Sequence, residues 1–335
     1  MSGRKLWAVL ALVLGALVLG TPPADAQEFT LRIGTVAPDG TPWSELLKRI
    51  KKRVEKESGG RIKVKIYLGG QLGSEESLVR RVQQGTLEMV GVSTGAMAVA
   101  VEELHLLELP FLFDNYRQID HVLDNVLYEP MKEILAKKGF VLYEWAENGW
   151  RHWATKDRFL KSPGDFRGLK LRSQPSFVHV EMYNALGASP SPIAVPEVPS
   201  ALQNGVVQGY DNSLLFAYAA QWYQGIRKLT LSEHIYQPAV VVYNKAWFDK
   251  LPADLQAMLT SNIAEDTKTG RDWVRKLNKP LVENYKKAGV EFYQLTAAEK
   301  EELKKATRGV WDIFRKRVPQ ASGLLDKVLE AKKQK

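Results

Sequence analysis

A chain of 335 residues that is 45% hydrophobic, 25% charged and 10% aromatic has ordinary globular composition, which excludes whole-chain disorder, collagen and coiled coil. With no cysteine there is no disulfide framework, thiolate zinc site, iron–sulfur cluster, cysteine nucleophile or lipid-bearing N-terminal cysteine. The formal charge of +9 is spread thinly over helix-like segments and a tail (residues 48–53 and 332–335), and no stretch interleaves basic with aromatic residues, so no nucleic-acid partner is expected.

Residues 1–26 read as a secretory signal peptide. Arg4 and Lys5 precede an apolar run over residues 6–20, and Ala24-Asp25-Ala26 is a small-x-small cleavage signal that predicts processing after Ala26. The run is shorter than the roughly 20 residues a spanning helix needs, and no later segment is more apolar. The mature chain is therefore expected in the periplasm, without membrane insertion and as a monomer.

Residues 29–36 alternate and predict a strand. Thr41 and Pro42 open a helix as N-cap and first helical residue, with Trp43, Leu46, Leu47, Ile50 and Val54 on one face and Gly59-Gly60 closing it. A strand over 62–68, a helix over 74–84 stopped by Gly85 and a strand over 87–92 follow. This alternation implies a parallel sheet with right-handed crossovers and a ligand crevice beyond the carboxyl ends of the strands. A second α/β run begins at Phe140, with strands predicted over 169–172, 191–195 and 206–210 and helices over 177–186 and 197–204. The stretch 78–88 is echoed by 198–208, each an apolar helix, then Gln-x-Gly, then a strand; the echo suggests one such unit in each of two halves, although any helix-Gly-strand corner looks alike. Residues 252–287 keep a helical pattern for 36 residues, long enough to bridge both halves with a kink near Pro280. Thr296-Ala297-Ala298-Glu299 is a capping box opening a last helix.

No phosphate-cradling glycine loop, Gly-x-Ser-x-Gly elbow or His-Glu-x-x-His is present, and the five histidines show no metal-ligand spacing. Catalytic residues, a metal and a cofactor are not expected. The binding signal is stronger. Residues 145–172 are dense in aromatics and arginines, and Arg172 ends a predicted strand, the position that faces the crevice of an open α/β sheet. A guanidinium there can fork onto a carboxylate, although a surface ion pair would use the same residue.

Several stretches, in order, resemble one family: Ile33-Gly34-Thr35 with Gly40-Thr41-Pro42-Trp43; Gly59-Gly60-Arg61-Ile62; Gly69-Gly70-Gln71-Leu72-Gly73; Leu109-Pro110-Phe111-Leu112-Phe113; Asn148-Gly149-Trp150-Arg151; Gly168-Leu169-Lys170-Leu171-Arg172; the run from Glu197-Val198 to Val206-Val207; and Asp211-Asn212. Together they resemble the extracytoplasmic solute receptors of tripartite ATP-independent periplasmic (TRAP) transporters, of the dicarboxylate-receptor (DctP) type. The resemblance implies an α/β, two-domain periplasmic-binding-protein architecture with crossing hinge strands and a long helix spanning both domains. It implies domain I over 27–149 plus about 238–275, and domain II over 150–237 plus about 276–335 with C-terminal helices. It also implies an organic acid gripped by Arg172, with Arg151 and Asn212 as further contacts, Ser93, Thr94 and Gln71 from the first domain, and Trp150 and Tyr236 as walls. The aromatic load near the crevice, Trp150, Tyr210, Phe216, Tyr218 and Tyr236, points to an acid with an apolar or aromatic body, although core packing would use the same residues. The implied partners are the small and large membrane subunits of a TRAP permease. Val195 and Ser93 stand where the sialic-acid branch carries a bulky aromatic and an acid, so sialic acid is not implied. Asp211-Asn212 replaces the Glu-Trp pair of the metal-assisted 2-oxo-acid branch, so no cation is implied. Rival roles are presentation of the acid to a sensor, an exported enzyme on the same scaffold, and a receptor of an ATP-driven transporter.

Overall fold

A computed structural model describes residues 28–333, so the signal-peptide reading lies outside the described residues. Nine strands form one mixed sheet: β1 (Phe29–Gly34), β2 (Ile62–Tyr67), β3 (Met89–Ser93), β4 (Phe140–Thr155), β5 (Lys170–Ser173), β6 (Ser189–Pro192), β7 (Gly209–Ser213), β8 (Lys228–Asn244) and β9 (Glu291–Gln294). Their order is β2-β1-β3-β8-β4-β7-β5-β6, with β9 beside β8. The parallel pairs β1–β2, β1–β3, β5–β6 and β5–β7 lie at the two ends. Between them β4 and β8 run antiparallel to each other and to β7 and β3, while β9 joins β8 in parallel, so the sheet is mixed rather than wholly parallel. These two strands are 16 and 17 residues long and pass from one half into the other. Their pairing is interrupted by irregularities at Leu142/Glu144, Glu147/Gly149 and Arg151/Trp153, which let a long ribbon bend.

The first helix, Pro42–Glu57, starts as its sequence requires. The Thr41 side chain accepts from the Ser44 backbone, and Ser44 reciprocates in a capping box. Its apolar stripe, Leu46, Leu47, Ile50 and Val54, packs on Leu31, Ile33 and Val64 of the sheet. A second core on the same face of the far half joins Tyr210, Leu214, Trp222 and Tyr285. On the opposite face one core runs the length of the sheet, from Leu78 and Val90 through Trp145 and Trp153 to Val178 and the C-terminal helices.

The internal echo is a structural repeat. Gly85 and Gly205 both take left-handed conformations (φ +74° and +68°), which spares the Cβ strain another residue would carry. The two following amides then turn back onto one helix carbonyl, Thr86 and Leu87 onto Arg81, Val206 and Val207 onto Ala201. Those bonds delay sheet pairing, so β3 and β7 begin at Met89 and Gly209, later than the alternation at 87 and 206 predicts. Both strands end in a serine, Ser93 or Ser213, whose side chain caps the next helix.

The 36-residue helical pattern is broken in two, Ala253–Thr260 and Ile263–Lys287. Thr260 and Ser261 hydroxyls bond the carbonyls of Gln256 and Met258, ending the first piece with side-chain partners. The second piece, 25 residues and about 37 Å by helix rise, continues through Pro280 and packs on β4, on Pro42–Glu57 and on Leu214–Ala219. Arg271 and Arg275 clamp it to Asp120 and Asp124, and Arg275 also reaches Glu147 of β4 at 2.8 Å. The last capping box opens three helices rather than one: Ala297–Thr307, Gly309–Arg317 and Ser322–Ala331. The third packs against Val122–Leu127, and Trp311 donates to the Pro110 carbonyl at 3.0 Å, so this C-terminal layer touches both halves instead of the second alone. The predicted strand 191–195 is Ser189–Pro192, because Pro196 and Glu197 start a short 3-10 turn.

Gly209 sits where β7 passes closest to β4: a Cβ there would stand 2.2 Å from the Ala154 carbonyl oxygen. Gly209→Ala is expected to lower unfolding free energy by roughly 1–3 kcal/mol, as overpacking against backbone does; a urea midpoint equal to that of the parent would contradict this reading of the close approach.

Candidate solute-binding site

The carboxyl ends of β1, β3 and β5 and the middle of β4 and β8 meet around a narrow cleft, partly open to solvent. The first half contributes Val36, Trp43, Glu75, Val92 and Ser93, and the second half Arg172, Gln174, Val195, Asn212 and Phe216. Asn148, Arg151 and Gln237 come from the crossing strands. Among the described residues no group of three or more His, Asp or Glu is arranged to hold a metal ion.

Arg172 and Arg151 carry the same charge and have opposite circumstances. Arg151 is saturated. Its Nε donates to Asp211 Oδ2 at 2.5 Å and one terminal nitrogen to the Asp211 carbonyl at 2.6 Å. The other reaches Gln237 Oε1 at 2.7 Å and Asn212 Oδ1 at 3.3 Å. Asp211 also takes the Tyr183 hydroxyl at 3.0 Å. Burial pushes the Asp211 carboxyl upward, but Arg151, His234 and His179 outweigh it and hold it well below the usual range. Arg172 is 1% exposed and makes one hydrogen bond, from Nε to the Ile193 carbonyl at 2.9 Å. One terminal nitrogen is buried without a partner, and the guanidinium lies 5.1 Å over the Trp222 ring. Burial, then repulsion from Arg151, lowers it to about 10, so it remains charged at neutral pH. A desolvated cation without a counter-ion is a strong local demand for an anion.

Behind the cleft a polar chain crosses the molecule. Glu75 accepts from the Ser93 amide at 2.8 Å and hydroxyl at 3.0 Å; Ser93 Oγ accepts from Gln174 Nε2 at 2.8 Å. Gln237 Nε2 reaches Gln174 Oε1 at 2.7 Å and Glu108 Oε2 at 2.9 Å. Glu108 takes the Thr94 hydroxyl at 2.7 Å and lies 2.5 Å from His179 Nε2. Burial raises the Glu108 carboxyl, yet His179, Arg151 and Thr94 hold it at about 2. The Ser93–Gln174 bond joins the two halves directly across the cleft.

The sequence-predicted residues divide. Arg172, Arg151, Asn212 and Ser93 line the cleft. Thr94 lies behind Ser93, spent on Glu108 and the Pro238 carbonyl. Gln71 is exposed on the Gly69–Gly73 turn, outside the lining. Trp150 and Tyr236 are not walls: they pack on each other and on Tyr116 in the continuous core. Strand alternation is the reason, since Arg151 and Gln237 take the cleft side and their neighbours must point away. Tyr210 stacks edge-on against Trp222, beneath Arg172 rather than at the cleft surface. Glu75 ends the 69–75 loop and Phe216 belongs to the aromatic load that the sequence puts near the cleft, and both line it; Gln174, Gln237, Asn148 and Trp43 line it too and were not assigned a role by the sequence. The parity argument alone could have supplied Gln237.

Residues 33–317 match the bacterial extracellular solute-binding protein family 7, DctP. The chain belongs to this family. It is 36% identical over 274 residues to a solute-binding protein of Verminephrobacter eiseniae, covering 78% of this chain and 82% of that one. Its fold is similar to the sugar acid binding protein DctPAm of Advenella mimigardefordensis in complex with galactonate (TM-score 0.86, 28% identity, 92% of this chain and 100% of that one). It is also similar to a TRAP periplasmic solute binding protein of Sulfurospirillum deleyianum with bound succinate (TM-score 0.84, 26% identity, 90% and 98%). The architecture is thus the two-domain periplasmic binding fold of TRAP solute receptors, with β4 and β8 as the crossing strands and Ile263–Lys287 as the spanning helix. Proteins of this family are extracytoplasmic binding proteins, and no helix among the described residues is long and apolar enough to cross a membrane.

Asp211 is the counter-ion that makes Arg151 tolerable in the interior. Asp211→Asn is expected to destabilise the fold by about 3–5 kcal/mol, the usual effect of stripping one partner from a buried pair. Denaturant unfolding checks it, and a change under 1 kcal/mol would mean that Arg151 finds its charge balance elsewhere.

Proposed function

We propose that this protein captures a small organic acid by its carboxylate and delivers it, as the periplasmic receptor of a TRAP transporter, to the small and large membrane subunits of the permease. The observation that carries this reading is the buried, charged and partly unpartnered guanidinium of Arg172 at the wall of a cleft between two halves. A carboxylate there would receive two charge-assisted hydrogen bonds in a fork. Asn212 lies beside it with its oxygen already committed to Arg151 and to the Ser213 amide, which leaves its amide nitrogen to donate to the acid. Arg151, tied to Asp211, holds Asn212 and Gln237 in place and adds positive potential. The ligands of the related structures, galactonate and succinate, support the class.

The capture cycle follows from two halves joined by bending strands. The parts 27–149 plus about 238–275 and 150–237 plus about 276–335 rotate about the irregular stretch of β4 and β8. A ligand that touches both shifts the open–closed equilibrium by its differential affinity for the two forms. Closure excludes water and strengthens the Arg172 fork. The acid leaves with no bond changed. Export by the segment before Gln27 places the receptor in the periplasm, where it works as a monomer without metal or cofactor.

A thermal-shift screen against organic acids identifies the ligand, since binding raises stability by RT ln(1 + [L]/Kd). With that acid in the calorimeter, Arg172→Ala is expected to lose about 2–5 kcal/mol of binding free energy. Binding as tight as in the parent would remove Arg172 from the site and the carboxylate-capture reading with it.

A further inference from the structure

The cleft carries one acid that capture of a carboxylate does not need. Glu75 opens the helix Glu75–Gln83 in the first half, lies in the cleft lining and is 7% exposed. Its oxygens are held by the Ser93 amide and hydroxyl, and no cation among the described residues pairs with it. Arg172 comes from the other half, on β5. Glu75 and Arg172 thus line one cleft from opposite halves, and a ligand that grips Arg172 and spans the cleft would turn its far end toward Glu75. Resting on the proposed capture of an organic acid, we propose that Glu75 selects the class of acid: a hydroxylated monocarboxylate whose distal hydroxyl donates to Glu75, with a second carboxylate rejected.

The chemistry is asymmetric. A carboxyl held on one side by Ser93 keeps lone pairs for an incoming hydroxyl. A second ligand carboxylate at the same place offers no proton and sets two like charges together in a dry site, an arrangement that disfavours the wrong partner. The environment supplies no relief: the charged groups facing Glu75 are Glu76 on its own helix and Glu108 beyond Ser93 and Thr94, both acids, whereas Arg151 and Arg172 lie across the cleft and Arg151 is already paired. Burial, then Glu76, raises the Glu75 carboxyl to about 7. Below that pH a protonated Glu75 would tolerate a dicarboxylate; above it the negative charge expels one. The remaining polar lining, Asn148, Ser93 and Gln174, suits a chain of hydroxyls.

The test compares acids matched in length: erythronate against succinate, and galactonate against galactarate, by calorimetry at pH 6 and pH 8. The parent protein is expected to bind at least one hydroxy monoacid at least tenfold more tightly than its dicarboxylate partner at pH 8. Dicarboxylate affinity should fall by up to about tenfold from pH 6 to pH 8, the limit for one linked proton with a pKa near 7. Glu75→Gln should cross these preferences, weakening the monoacid and tightening the dicarboxylate at pH 8 with its pH dependence gone. If the dicarboxylate binds as tightly as the monoacid at pH 8, the selection role of Glu75 falls while carboxylate capture stands. If none of the four acids binds, capture of such acids falls and the inference with it. Should Glu75→Gln fail to fold, the pH profile of the parent decides alone.

Discussion

A positive charge placed in the protein interior without a counter-ion organises this molecule. Arg172 is buried beside the Trp222 ring, and the protein supplies only the Ile193 carbonyl in return. Such a group opposes folding unless the surroundings over-determine its position. Here the short strand β5, fixed between β6 and β7, holds the backbone, and the ring of Trp222 gives the guanidinium a polarizable face. Under the proposed function, that unmet demand is what an anionic cargo would answer.

Around that unmet charge several buried ions are matched. Arg151 is paid by Asp211, Glu108 by His179, and Glu147 by Arg275. The amides of Gln174 and Gln237 link the first two pairs into one chain that runs from Glu75 in the first half to Asp211 in the second. Such a chain does not tolerate partial rupture, because each broken bond strands a buried polar group. Its Ser93–Gln174 link is the one that crosses the cleft, so opening the two halves has to break that bond.

Much of this was legible in the sequence, for reasons that differ by element. Thr41-Pro42 and the Gly85 and Gly205 corners are local signals, fixed by capping and by positive φ, and they sit where the pattern puts them. Arg172 was legible because a strand end in an α/β sheet has a known relation to the crevice. Trp150, Tyr236 and Tyr210 were drawn toward the site by their size, whereas β4 and β8 place them by parity and core packing. Glu75 and Gln174 carry no local signature. An acid in the first turn of a helix usually serves the helix dipole, and it is the tertiary Ser93–Gln174 bond, beside which Glu75 holds Ser93, that makes it part of a cavity wall. The break at Ser261 was hidden because hydroxyl back-bonding interrupts a helix without altering its apolar period.

The clamp of Arg271 and Arg275 has a kinetic meaning. It binds the spanning helix to Glu147, the residue at which the crossing ribbon loses its regular register. Any swing of one half must bend the ribbon beside a guanidinium that is bonded on both flanks, to Glu147 and to Asp120. The pivot is thus stiffened by ionic struts on the side away from the cargo. How long a captured molecule stays is governed in part by charges it never meets.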